Sequence, residues 1–171
     1  MIATQCAGIV ISGANAAYTP KELEHQLNDS GAKVLLVHPS ILEVALSATA
    51  ALGWSKKKQR DCIVLAVQKN ETGPAGDSKW ISGDSAKLTS SNSIVYRSLN
   101  DIMTGQLLDP HPCPEPKTTV AYLGYSSGTS GKAKGVRTSN FNMTSVLSIL
   151  TPIETTSDDI HLAVLPLNRE H

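Results

Sequence analysis

Apolar side chains recur along this chain in two rhythms. "GIVIS" (Gly8–Ser12), "KVLLVH" (Lys33–His38) and "CIVLAV" (Cys62–Val67) are short, β-branched runs that predict strands. The last two have no polar alternation, as in parallel strands covered on both faces. Between them the apolar spacing lengthens to three and four. Leu23 and Leu27 predict a helix from about Pro20 to Ser30, and Ile41, Val44, Ala45, Ala48 and Leu52 predict a second that ends at Gly53. Both helices carry start signals. Thr19 with Glu22, and Ser40 with Glu43, have the spacing of a capping box, Pro20 suits a first turn, and Gly31 suits a C-terminal stop. A β-α-β-α-β order of this kind predicts an α/β fold with a mostly parallel sheet and flanking helices over residues 1–67.

The pattern then lapses. Residues 68–93, "QKNETGPAGDSKWISGDSAKLTSSNS", are polar and rich in glycine and serine, which predicts a mobile surface insertion. "DPHPCPEP" (Asp109–Pro116) places proline at every second position and predicts an extended linker, so that residues 68–117 separate the first unit from a second, 118–171. The second unit reads as the strand "TTVAYLGY", a glycine-rich loop, a helix from about Ser139 to Leu150 and the strand "IHLAVL" (Ile160–Leu165).

Charge and cysteine usage narrow the function classes. Fifteen basic and fifteen acidic residues cancel, so no overall field favours nucleic acid or an anionic membrane, and any anion must be held locally. No apolar run is long enough to span a bilayer, and the N-terminal residues lack the basic start and apolar core of a signal peptide, which predicts an intracellular protein. Cys6, Cys62 and Cys113 stand apart without CxxC spacing, and the five histidines are scattered. Reduced cysteines and no protein-bound transition metal are the expectation.

The candidate chemistry lies in "YSSGTSGKAKGV" (Tyr125–Val136). By composition alone a flexible connection explains its glycines and serines as well as an anion site does. Its place after an apolar strand and before a predicted helix favours the anion site, because a helix N-terminus presents unpaired amides. Gly128, Gly131 and Gly135 allow the backbone to turn, Ser126, Ser127, Thr129 and Ser130 supply hydroxyl donors, and Lys132 or Lys134 supplies a charge. The GxxxxGK[ST] loop is excluded, since Ser126 stands where its first glycine belongs and Ala133 follows Lys132.

From Ser126 to Val136 these residues match, at every position, the phosphate loop of the adenylate-forming enzymes, S-S-G-T-[ST]-G-x-[PA]-K-G-V. "TSNFN" resembles that family's T-H-x-N element, with Ser139 for the threonine, Asn140 for the histidine and Asn142 retained. "SGANAAYTPKELEHQLNDSGAKVLLVH" is similar to the segment "ANPxYTxxELxxQLxDSxAK" of acyl- and aryl-CoA ligases, including relatives of 4-coumarate-CoA ligase, with Ala16 for its proline. The resemblance runs from about Gly8 to Pro166. It implies part of a large N-terminal ligase domain, in which a carboxylate attacks the α-phosphorus of MgATP and the thiol of coenzyme A then displaces AMP.

By motif, Ser126, Ser127, Gly128, Thr129, Ser130, Gly131 and Lys134 would hold the ATP phosphates. Lys132 falls on the motif's variable position. No catalytic acid or base is assigned, and the implied partners are a small carboxylic acid, ATP with Mg²⁺ and coenzyme A. The resemblance places such a ligase in the cytoplasm or the peroxisome. Arg169 stands where the family's "LPxxHxxG" element has its histidine. A chain of 171 residues is far shorter than such ligases. It is expected to be inactive alone, and a non-catalytic remnant that binds nucleotide weakly is the alternative.

Overall fold

The computed structural model describes residues 4, 6–66, 96–102, 109–126 and 132–150. The insertion at 68–93, the loop residues 127–131 and the strand expected at 160–165 lie outside the described residues. The chain divides into two units, Ala16–Leu107 and the combination of Met1–Asn15 with Leu108–His171.

In the first of these, α1 (Pro20–Ser30) forms where its signals place it. The Thr19 hydroxyl accepts from the Glu22 amide, and the Glu22 carboxylate accepts from the Thr19 amide at 2.8 Å and from its hydroxyl at 2.7 Å. Gly31 ends the helix at φ 65°, a left-handed conformation that a residue with a Cβ reaches only with strain, and its amide donates to the Leu27 carbonyl. These bonds, the Thr19 amide foremost, hold the Glu22 carboxyl below its ordinary pKa. A lowered carboxyl pKa stabilises the fold above the ordinary value, and that contribution disappears as pH falls through the lowered one. Thermal unfolding followed across the acid range is therefore expected to steepen there, and Glu22→Gln is expected to flatten that part of the profile. An unchanged profile would remove the box from the account.

The second helix begins differently from its signals. The His38 ring caps a 3₁₀ turn, Pro39–Ile41, by accepting from the Ser40 amide at 3.2 Å, and α2 (Leu42–Ala51) follows with no side-chain cap. Ser40 is thus drawn into the turn, and the Ser40–Glu43 box does not form. A further helix, α3 (Lys56–Cys62), starts at Ser55, whose hydroxyl accepts from the Lys58 amide at 3.2 Å. Gln59 fastens α3 inward: its Nε2 donates to the Leu46 carbonyl at 3.0 Å and to the Thr49 hydroxyl at 2.8 Å.

The strands of this unit are β2 (Leu35–Val37), β3 (Ile63–Leu65) and β4 (Arg97–Ser98), in the order β2-β3-β4 and all parallel. The short α4 (Leu99–Ile102) continues from β4, with Ser98 and Asp101 forming a reciprocal capping pair. The core sets Leu35, Val37, Ile63 and Leu65 against Leu27, Leu42, Ala45, Leu46 and Tyr96. Leu36 departs from the two-face burial expected of "KVLLVH", for it exposes 60% of its surface and Val34 65%.

In the other unit β1 (Ile11–Ser12) pairs parallel to β5 (Val120–Ser126), and β5 pairs antiparallel to β6 (Lys134–Ser139). The expected sequential sheet is corrected here: β1 pairs with a strand more than 100 residues away and not with β2. The Ser12 hydroxyl fixes that pairing by donating to the Leu123 carbonyl at 2.9 Å. Residues 109–119 carry neither helix nor strand, as the alternating prolines require. Gly8, at φ 69°, lets the His111 imidazole lie where a Cβ would stand.

Candidate functional site

The glycine-rich segment closes a β-hairpin. Ser126, the last residue of β5, lies directly opposite Lys134, the first of β6, with Tyr125 opposite Gly135 and Gly124 opposite Val136 on the rungs behind. Side chains alternate along a strand, so Ser126 and Lys134 share one face and Tyr125 takes the other. Tyr125 is buried at 3%, Ser126 half-buried and Lys134 exposed. The hairpin thereby places a serine and a lysine in register on one face at the mouth of the loop. Ser127, Gly128, Thr129, Ser130 and Gly131 lie outside the described residues. Lys132, also exposed, falls beyond the last rung.

The helix expected from about Ser139 to Leu150 forms there, but it does not follow the loop directly. β6 intervenes, and α5 (Asn140–Leu150) begins only after Ser139. At about 3.4 Å per residue, the five residues from Lys134 to Ser139 carry its N-terminus roughly 17 Å along the hairpin. Val136 and Thr138 join the β5 ladder, and that pairing makes this segment a strand. Anion binding at the loop has to come from loop amides, hydroxyls and lysine, without that helix's dipole.

The "TSNFN" element has a structural part within the described residues. The Ser139 amide and hydroxyl donate to Asn142 Oδ1 at 3.1 and 2.6 Å, and the Ser139 hydroxyl accepts from the Asn142 amide at 3.2 Å. Asn140 donates from its backbone and its side chain to the Thr119 carbonyl, at 3.0 and 3.2 Å. Together these bonds cap α5 and clamp its start to the segment leading into β5. A shallow cavity of about 170 Å³ opens at that same end, between Gly8, His111, Pro112, Thr119, Ala121 and Asn140. Four strand residues, Tyr122 to Tyr125, separate its lining residue Ala121 from Ser126, so it is no part of the loop.

Parallel strand pairs, flanking helices and a serine- and lysine-bearing hairpin make this an α/β fold. The chain belongs to the AMP-binding enzyme family, whose family model matches residues 1–168. It is 31% identical over 148 residues to a long-chain-fatty-acid–CoA ligase of Escherichia coli, an alignment that covers 80% of this chain and 24% of that protein. Among solved structures, the anthranilate CoA ligase AuaEII in complex with anthranoyl-AMP aligns with a TM-score of 0.53 and 26% identity, over 79% of this chain and 21% of that one. A red-emitting luciferase from Phrixothrix hirtus aligns with a TM-score of 0.61 and 19% identity, over 92% and 34%, and shares the fold. The chain spans about a quarter of the length of the curated relative.

Proposed function

We propose that this chain is the phosphate-holding part of an ATP-dependent acid–thiol ligase. In the first half-reaction a carboxylate oxygen attacks the α-phosphorus of ATP, forming the acyl–AMP anhydride and releasing pyrophosphate. In the second, the sulfur of coenzyme A attacks the acyl carbon and AMP departs. The observation that carries this reading is the rung joining Ser126 to Lys134 at the mouth of a loop that matches the phosphate motif throughout.

Ser126, Ser127, Gly128, Thr129, Ser130 and Gly131 supply hydroxyl and amide donors to the β- and γ-phosphates, and Lys134 supplies the charge. Negative charge moves onto pyrophosphate as the α-phosphorus bond breaks, so donors fixed beforehand stabilise the transition state more than the ground state. These residues position and neutralise; none of them transfers a proton. Among the described residues no group of three or more histidine, cysteine, aspartate or glutamate side chains offers a metal site. In this reading magnesium enters with the nucleotide, as MgATP. No helix among the described residues is long and apolar enough to cross a membrane. We place the reaction inside the cell, where ATP and coenzyme A are both available.

The names of the similar proteins span fatty and aromatic acids, and the acid itself is the open choice. Incubating the complete ligase that contains this chain with MgATP, coenzyme A and a panel of both acid classes is expected to give a thioester with one class. Failure to form thioester with either class would favour a non-catalytic nucleotide-binding role.

A further inference from the structure

β5 is supported from both sides only part of the way to the loop. β1 pairs with Tyr122 and Leu123 and ends there, and the Ser12 hydroxyl closes that pairing on the Leu123 carbonyl at 2.9 Å. From Gly124 onward, among the described residues, β5 has β6 as its only strand partner, and β6 forms the edge of the sheet. A strand end held on one side and joined to a glycine-rich loop opens locally unless something ties it down.

The rungs nearest the loop set Gly124 opposite Val136, Tyr125 opposite Gly135 and Ser126 opposite Lys134. Lys134, Gly135 and Val136 are all exposed, Ser126 is half-buried, and Gly124 has no side chain to bury. Tyr125 is therefore the one buried side chain on those rungs. An aromatic ring removes a large apolar area from water, so its burial ties down this end of the hairpin. Tyr125 precedes Ser126 in the chain, and Gly135, opposite it, follows Lys134.

We infer that Tyr125 is a positioning residue for the phosphate loop: its buried ring fixes where the backbones of Ser126 and Lys134 stand. The inference rests on the ligase reading of this hairpin. The ring takes the face opposite to Ser126 and Lys134, so it acts through them and not on the nucleotide. Donors stabilise charge moving onto pyrophosphate only as far as they are held in place beforehand. With the ring removed, the hairpin mouth opens and the same serine and lysine have to be ordered at the moment of reaction.

The test is acid-dependent exchange of labelled pyrophosphate into ATP by the complete ligase containing this chain, at a temperature where circular dichroism shows each variant folded. Tyr125→Ala should lower the rate on the order of 10-fold, and Tyr125→Phe, which keeps the ring, should restore most of it. In the Tyr125→Ala background, Lys134→Ala should cost several-fold less than in the unmodified ligase, because a lysine already out of place has less to lose. A purely structural loss would instead multiply with that of Lys134→Ala. If Tyr125→Ala does not fold, Tyr125→Leu takes its place in the same cycle. Amide hydrogen exchange reads the anchor without the chemistry: the Tyr125 variant should exchange faster at Gly124–Ser126 and Lys134–Val136, while Tyr122 and Leu123 stay protected. Multiplying losses, a Tyr125→Phe rate as low as that of Tyr125→Ala, or unchanged amide protection at the hairpin mouth would each overturn the inference. Absence of pyrophosphate exchange in the unmodified ligase would overturn the ligase reading instead, and the amide result would still decide whether Tyr125 holds the hairpin.

Discussion

Lys134→Ala is expected to lower the adenylation rate of the complete ligase by on the order of 10², the scale of losing one pre-positioned donor to a developing anion. Lys134 is anchored by the ladder opposite Ser126, which fixes the origin of its side chain on the face that Ser126 shares. Lys132 lies beyond the last rung. Its side chain has more freedom to lose on binding, so Lys132→Ala should cost much less. The comparison separates position from charge, since both substitutions remove one ammonium. Lys134→Arg should recover only part of the rate, because a planar guanidinium does not reproduce a compact ammonium at the same point. Equal losses for the two alanine variants would mean that the hairpin does not define which lysine meets the phosphates.

Leu65→Ala is expected to destabilise the unit Ala16–Leu107 by about 2–5 kcal/mol. Leu65 has no exposed surface and belongs to the cluster formed by Leu35, Val37 and Ile63 with the helices α1 and α2. Its truncation removes apolar contact and leaves a cavity that three-residue strands can close only by shifting the parallel ladder. Leu36→Ala is the matched control: the same atoms are deleted from the next strand, but on the exposed face, and the expected cost is under about 1 kcal/mol. Urea unfolding of the two variants distinguishes them. A similar loss for both would show that Leu36 is packed against another part of the protein.

Local signals in the sequence were the most legible. Thr19, Pro20, Glu22 and Gly31 act within one or two turns of α1, so their spacing was enough to predict both ends of the helix. Ser40 and Glu43 had the same spacing and did not form a box, because His38 and Pro39 start a tighter turn that takes the Ser40 amide first. α3 was not legible from apolar periodicity, since its one inward side chain is the polar Gln59. The serine four positions before Gln59 was the available signal, through its cap on Lys58.

Pairing between distant strands was harder to read. Nothing in "GIVIS" specifies Tyr122 and Leu123 as partners, because a two-residue pairing carries almost no register information of its own. At the candidate site, the match to the phosphate motif located the loop, while its setting was misread. "KGVRTS" has only two β-branched residues and no apolar alternation, so its strand is set by pairing with β5 and not by its own pattern. That difference removes a helix dipole from the proposed binding and places the weight on Lys134, the hydroxyls and the loop amides.

Exchange of labelled pyrophosphate into ATP, measured with the complete ligase containing this chain, tests the central claim most directly. Acyl–AMP formation is reversible, so an adenylate-forming site returns label to ATP only when a suitable carboxylic acid is present and needs no coenzyme A to do so. The account predicts exchange that depends on the acid, continues without coenzyme A and falls on the order of 10² with Lys134→Ala. Exchange that ignores the acid, or none with any fatty or aromatic acid, would contradict it.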